Sequence, residues 1–319
     1  MKPDDVECIR VLLSFHYFRT HDLDALVEAL TVGGTPPDIF ADSGAFSAWT
    51  QNVTVTVDDY AEWLHKWRHH LTVYANLDVI DDPVATEVNQ RALESNGLLP
   101  LPVWHIRSGQ KHFEALCEEY RYIAIGGMVG TQWKRLMPKL TWAMRHARST
   151  GTVLHALGLT SRGPLGTLPF YSVDSSSWSN GYRYGQVPVW DDTAKVLKQT
   201  QLGDVKAWKA KANVVKQLGF SPVRFANGEA TRGEIAGIAA LSTIFWEHHV
   251  RLMLGVVPLP PGDKPEVNVG RAGLRVYVVD GAKENLCKAA DGLRLYLADT
   301  TGPDITHISN HLNKLRESA

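Results

Sequence analysis

The sequence predicts an α/β chain, a (β/α)8 barrel with a helical insertion and a small C-terminal α/β extension. Three observations carry that prediction. Short apolar, β-rich runs recur with amphipathic helical stretches between them. Nearly every run ends at its C-terminal edge in a polar or glycine cluster, which is where a barrel presents its chemistry. No G-x-G-x-x-G follows the first run, as a doubly wound dinucleotide-binding sheet would show.

In chain order the runs are VLLSFHYF from Val11, DIFADSG from Asp38, TVYANLDVI from Thr72, LLPLPVWHI from Leu98, YIAIGG from Tyr122, VLHALGL from Val153 and PFYSVDS from Pro169. Between them, Asp58 to His70 opens with Val-Asp-Asp and sets Tyr60, Leu64 and Trp67 at helical spacing, and Pro83 to Ser95 reads the same way. Strand, helix, strand, repeated, predicts parallel pairing through helical crossovers. The strand-end clusters are Asp42-Ser43-Gly44, Asp78, His105, Gly126-Gly127, Gly158 and Asp174.

Residues 1–255 are assigned to the barrel, including a helical segment at 191–250. That segment contains a long helical stretch from Asp191 to Leu218 and an apolar helix with Ile235, Ile238, Leu241, Ile244 and Trp246. PLPPGDKPEVNVGRAG then reads as a loop. Residues 256–319 form the extension packed on the barrel, with LRVYVVDG, a short helix around Lys283 to Ala290, LRLYLAD and a final helix from about Thr306.

With 319 residues, 44% apolar and 21% charged, and a net charge of -1, the chain is neither a disordered tail nor a polyelectrolyte. It is long enough to bury a full core without disulfides or a structural metal. The three cysteines, Cys8, Cys117 and Cys287, are far apart and odd in number, which predicts buried thiols in a reducing cytoplasm. No apolar run approaches the roughly 20 residues of a membrane span, and MKPDDVEC is acidic where a signal peptide is basic, so a cytoplasmic protein without a membrane partner is expected.

Charge is divided along the chain. From Thr131 to Gly163 the formal charges are Lys134, Arg135, Lys139, Arg145, Arg148 and Arg162, all positive. Lys195, Lys198, Lys206, Lys209, Lys211 and Lys216 follow, with Asp204 between them, whereas the first ninety residues are rich in Asp and Glu. A basic face for phosphates is one reading, and solvated helices are the other.

Asp42, Asp78 and Asp174 stand at run ends beside glycine, small or aromatic residues. Paired carboxylates suit a glycosidic bond, one attacking the anomeric carbon and one protonating the leaving group. An aspartate after a strand also caps the next helix. Ser175, Ser176 and Ser177 lack a G-x-S-x-G elbow and read as turn residues. His65, His69 and His70 read as a solvated helix with aromatic neighbours.

The order D-S-G-A-F at Asp42, an isolated Asp78, A-I-G-G-M at Ala124, A-L-G-L-T at Ala156 and V-D-S at Val173 followed by N-G-Y-R-Y-G resembles the guanine transglycosylase superfamily over about residues 38–185. Its queuine and archaeosine enzymes exchange guanine in tRNA for a 7-deazaguanine. The resemblance implies Asp174 as nucleophile, Asp42 as general acid/base and Asp78 as reader of the purine's N1–H and exocyclic amine. It also implies base contacts from Ser43, Gly44 and Phe46, from Gly126, Gly127 and Met128, and from an apolar shelf at Leu157 and Gly158. His105 stands where the family has a polar base contact, usually glutamine.

The tRNA enzymes carry a zinc motif, C-x-C-x-x-C with a later His, after the nucleophile. Here only Cys287 lies in that region, and His307 and His311 do not complete a recognisable site, so no zinc or other cofactor is expected. The first motif has G-A in place of G-G. In these respects the chain is more similar to the phage and bacterial transglycosylases that insert 7-deazaguanines, such as 7-cyano-7-deazaguanine (preQ0), into DNA. The partners implied are DNA, a free 7-deazaguanine base and a second copy in a homodimer, with Arg183, Lys134, Arg135, Lys195 and Lys198 on the phosphates. The tryptophans read mainly as core or half-buried anchors, and stacking of Trp178, Tyr182 or Tyr184 on a base is the other reading. The same exchange on tRNA, a barrel glycoside hydrolase using Asp42 and Asp174, and a non-catalytic nucleic-acid binder are the alternatives.

Overall fold

The computed structural model describes residues 8–128, 130–159, 162–175, 181, 184–254, 294–299 and 310–314. β1 to β6 are each followed by helix. β1 (Arg10–Ser14) leads through a helical turn, α1 (Phe15–Phe18), into α2 (Leu23–Leu30), whose N-cap Asp22 accepts from the backbone N–H of Asp24 and Ala25. β2 (Asp38–Asp42) precedes α3 (Ala45–Thr50) and α4 (Val57–Trp67), the latter capped by Thr56. β3 (Val73–Tyr74) precedes α5 (Pro83–Ser95), which combines an Asp82 cap with proline in the first turn. Then come β4 (Val103–His105), α6 (Gln110–Glu119), β5 (Tyr122–Gly126), α7 (Trp133–Thr150), β6 (Val153–Ala156), α8 (Arg162–Leu165) and β7 (Ser172–Ser175). All seven expected runs contribute a strand, and the helices expected at 58–70 and 83–95 form.

β8 (Gln186–Asp191) and β9 (Val196–Gln201) make an antiparallel hairpin. Helices Val205–Ala210, Ala212–Gln217 and Pro222–Ala226 follow, then the 23-residue helix Arg232–Leu254. β10 (Arg294–Asp299) completes a parallel eight-stranded sheet ordered β3-β2-β1-β10-β7-β6-β5-β4. The outer strands of this order approach each other through an isolated parallel bridge, Ala75 to Leu101. There the Asn76 N–H donates to Leu101 O at 2.9 Å and the Leu101 N–H to Tyr74 O at 2.7 Å.

The strands sort their side chains by parity. Val11, Leu13, Ile39, Ala41, Tyr74, Trp104, Ile123, Ile125, Leu154, Ala156 and Val173 join the large core shared with the helices. The alternate residues Leu12, Phe40, Val73, Val103, Tyr122, Ala124 and Val153 form a second cluster with Ala75, Leu101 and Tyr171, to which no helix contributes among the described residues. Successive strand residues face opposite sides, so the parity that fixes this inner cluster also fixes what stands above it. Arg10 contacts Asp38 and donates to Glu247 at 3.1 Å, tying the starts of β1 and β2 to the long helix.

Three expectations are corrected. The helical segment expected at 191–250 begins as a hairpin. Val187, Val189, Leu197 and Thr200 are buried in the hairpin, and Asp191 accepts from the Thr193 and Ala194 N–H groups to form the turn. LRLYLAD, expected in an appended extension, supplies β10, paired in register between β1 and β7. The physical reason is that β1 and β7 would otherwise leave unpaired ladders facing each other. Cys8, expected as a thiol, is disulfide-bonded, while Cys117 is a buried thiol. The expected loop at 258–273 and short helix at 283–290 lie outside the described residues. Among the described residues no helix is long and apolar enough to cross a membrane.

Candidate active site

A cavity of about 320 Å³ opens at the C-terminal ends of the strands, lined by Leu12, Ser14, Asp42, Phe46, Ser47, Trp49, Asp78, Ile80, Asp81, His105, Arg107, Gly126, Gly127, Leu157, Gly158 and Asp174. Parity explains why polar groups converge there. Ser14 is two residues past Leu12, Asp42 two past Phe40, His105 two past Val103 and Gly126 two past Ala124, so each points the same way as the inner cluster one layer below. His155, Ser172 and Asp174 share that face on β6 and β7.

Asp42 ends β2, and the Gly44 N–H donates to its Oδ2 at 2.8 Å. Gly44 has φ 74°, and a Cβ there would collide with Ser14 Oγ and fall 2.5 Å from His16 Cβ, so this turn admits only glycine. Burial, then the charges of Asp78 and Asp174, raise the Asp42 pKa to about 7, against the opposing hydrogen bonds from Gly44 and Ser43. At neutral pH this carboxyl holds its proton part of the time.

Asp78 sits on the loop after β3, which α5 fastens from behind. Asn76 Nδ2 donates to Thr86 O at 2.8 Å, Thr86 Oγ1 accepts from the Val79 N–H at 2.9 Å, and Asn89 Nδ2 donates to Leu77 O at 2.8 Å. His105 Nε2 lies 2.8 Å from Asp78 Oδ2. Gly126 is the facing residue on β5, and a Cβ there would come within 3.1 Å of the His105 ring.

Asp174 is buried. Its Oδ1 accepts from the Gly158 N–H at 2.8 Å and lies 3.2 Å from His155 Nε2. His155 is fully buried and stacked on Phe40, and its Nδ1 is 2.6 Å from Ser172 Oγ, which in turn meets Tyr122 OH. Ser14 lines the cavity, and its Oγ is buried without a hydrogen-bond partner among the described residues.

Of the base contacts implied by the sequence, Asp78, Phe46, His105, Gly126, Gly127, Leu157 and Gly158 line the cavity with Asp42 and Asp174. Ser43, Gly44 and Met128 do not. Ser43 is fully buried with its Oγ accepting from the Ala45 N–H, and Met128 packs in the large core. Sequence reasoning missed His155, Ser14, Trp49 and Arg107. The signal for His155 was a histidine at an inward position of VLHA, two residues before the shelf residue Leu157.

Lys134 and Arg135 lie in the first turn of α7. Lys195 and Lys198 are paired with Asp192 and Asp191 on their own hairpin, so these lysines are locally neutralised. Arg183, Trp178, Tyr182, Cys287 and His307 lie outside the described residues, and Tyr184 is strongly exposed. Asp24, His69 and His70 bring ligand atoms within 4.8 Å of one another, apart from the cavity lining. His70 Nε2 meets Asp24 Oδ1 there. His311, whose ring stacks on Phe220, lies beside the Leu218 carbonyl at 2.8 Å. No protein-family model, curated protein or solved structure matches this chain.

Proposed function

We propose that the chain is a DNA guanine transglycosylase, exchanging guanine in DNA for a 7-deazaguanine by double displacement on a closed (β/α)8 barrel. The observation that carries the reading is the division of labour between two cavity carboxyls. Asp42, with a pKa near 7, is suited to hold a proton at neutral pH, and Asp174, with Oδ1 already bonded to a backbone N–H, has its second oxygen left to attack. The Ala75–Leu101 bridge and the inner cluster made of strand-borne and strand-flanking residues support barrel closure.

In the first step Asp174 attacks C1′ as the C1′–N9 bond breaks; the electron pair leaves with guanine, which takes the proton of Asp42. In the second the incoming base loses its N9 proton to the Asp42 carboxylate, N9 attacks C1′, and the bond to Asp174 returns its electron pair to the carboxylate. The Asp78–His105 pair is placed to read a purine edge, and Gly126 and Gly127 let the backbone approach the ring. A base at this depth has left the helical stack. The choice of DNA over tRNA rests on the missing C-x-C-x-x-C motif.

The deciding experiment is nucleoside mass spectrometry of DNA and of tRNA, each incubated with purified protein and 7-cyano- or 7-aminomethyl-7-deazaguanine. A deazaguanosine in the deoxy pool alone is expected, and Asp174→Asn abolishes it while leaving nucleic-acid affinity within about threefold. Product in the ribo pool alone would move the reading to tRNA, and product in neither would overturn it.

A further inference from the structure

Asp174 is the outer end of a buried chain that the exchange chemistry above leaves unassigned: Tyr122 OH, Ser172 Oγ, His155 Nδ1, then His155 Nε2 to Asp174 Oδ1. Ser172 and His155 are each 0% exposed, so although the order Ser-His-Asp matches a hydrolase triad, no substrate reaches the serine hydroxyl. The chain therefore acts outward, on the carboxylate.

We propose that His155 is a positioning residue that fixes which oxygen of Asp174 attacks and stabilises the carboxylate when it leaves. This rests on the reading of Asp174 as the nucleophile. With Asp174 accepting from Nε2, the bonds of this chain run one way: Tyr122 donates to Ser172, Ser172 donates to Nδ1, and the proton on Nε2 donates to Asp174. All three donors then point the same way, toward the cavity, and each strengthens the next. Ser172 sets the tautomer, because its hydroxyl occupies Nδ1 as a donor and leaves the ring proton on Nε2.

Both hydrogen bonds to Asp174, from Gly158 and from His155, fall on Oδ1. Oδ2 is then the oxygen that bonds C1′, and Oδ1 becomes the carbonyl oxygen of the glycosyl ester. When the incoming base displaces the sugar, the electron pair of the C1′–Oδ2 bond returns to the carboxylate, and the two donors already in place receive the developing charge. In the forward attack the same bonds restrain rotation of the carboxylate. Phe40, stacked on His155 with ring centroids 4.5 Å apart, holds the imidazole plane from the other side.

The test compares His155→Phe, which keeps the stacking but removes the donor, with His155→Gln, which keeps an N–H at a similar reach, and with Ser172→Ala, which releases the tautomer. The substrate is a guanine-containing DNA oligonucleotide with 7-cyano-7-deazaguanine, the readouts are kcat, KM and the covalent protein–DNA adduct on a denaturing gel, and thermal melts check folding. His155→Phe is expected to lower kcat about 100-fold, the scale of losing one preorganised donor, with the adduct accumulating because its breakdown slows most and with KM for the oligonucleotide falling alongside kcat, as slowed breakdown of a covalent intermediate requires. His155→Gln recovers at least about tenfold of the loss, and Ser172→Ala falls between the two.

A folded His155→Phe protein that exchanges at the wild-type rate overturns the inference and leaves the transglycosylase reading standing. So does a His155→Gln protein as slow as His155→Phe, since only packing then matters. If His155→Phe does not fold, Gln and Ala carry the same comparison, and wild-type rates in both overturn it. Wild-type protein that forms no Asp174-dependent adduct overturns the reading itself, and this inference with it.

Discussion

Asp42 shows how one side chain couples the proposed chemistry to stability. In the unfolded chain its carboxyl titrates near 3.8, and in the folded protein near 7, raised first by burial and then by the two neighbouring aspartates. Between those values the folded state binds the proton and the unfolded state does not, so this group's contribution to stability falls as pH rises from about 4 and is fully lost above about 7. Asp42→Asn removes that titration. Its thermal midpoint should lie above that of the wild type at pH 8, by at least about 2 °C, and the difference should shrink toward zero at pH 4, as followed by circular dichroism. A difference that stayed constant with pH would mean that Asp42 does not titrate in this range. Asp42, Asp78 and Asp174 were legible in the sequence as a set, because three carboxylates at run ends beside glycine, small or aromatic residues are harder to explain as helix caps than one alone. His155 was not, because a single histidine in an apolar strand reads as core. The role proposed for it depends on Ser172 and Asp174 two residues apart on the next strand, a relation of register that periodicity alone does not display.

At the scale of elements, short continuous apolar, β-rich runs made β1 through β7 legible, and β1 through β6 each bury residues in two different clusters. The turn and β9 of the hairpin were read as helix because DDTAKVLKQTQ is rich in residues that favour helices, while its alternation is weak. What decides it is local: Asp191 organises the turn, Lys195 adopts φ 54°, and two aspartates sit against two lysines. That placement changes which basic tract should matter. Lys195 and Lys198 have their charge compensated by Asp192 and Asp191, so replacing both with alanine should leave the salt dependence of DNA binding nearly unchanged. Lys134 and Arg135 lie in the first turn of α7, where no ion pair involves them among the described residues. Lys134→Ala with Arg135→Ala should lower the slope of log affinity against log salt by about 2, roughly 0.9 for each phosphate no longer neutralised, read by fluorescence anisotropy across a salt series. An unchanged slope for this pair would remove α7 from the binding face.

For the whole molecule, the consequential strand is the last in sequence. β1 pairs with β2 on one side and with β10 on the other, and β7 pairs with β6 and β10, so the first 175 residues form two groups of strands that β10 joins. Those groups carry the two halves of the proposed chemistry, Asp42 and Asp78 on one and Asp174 on the other. Their alignment in one cavity depends on β10 more than on any helix. If the C-terminal region were an appendage, a lesion in it would leave the rest intact. Because Leu297 lies opposite Val11 in one ladder and Ser175 in the other, proline at this position removes a backbone donor from the middle of a central strand. Leu297→Pro should therefore lower the single thermal transition of the entire protein by roughly 4 °C or more, the shift corresponding to about 3 kcal/mol in a chain of this length, with base exchange lost at the same lowered temperature as the fold. A variant that melted at the wild-type temperature would show that the two groups of strands hold their register without β10, and that the Ala75–Leu101 bridge and the inner cluster are enough to keep Asp42 and Asp174 on one cavity.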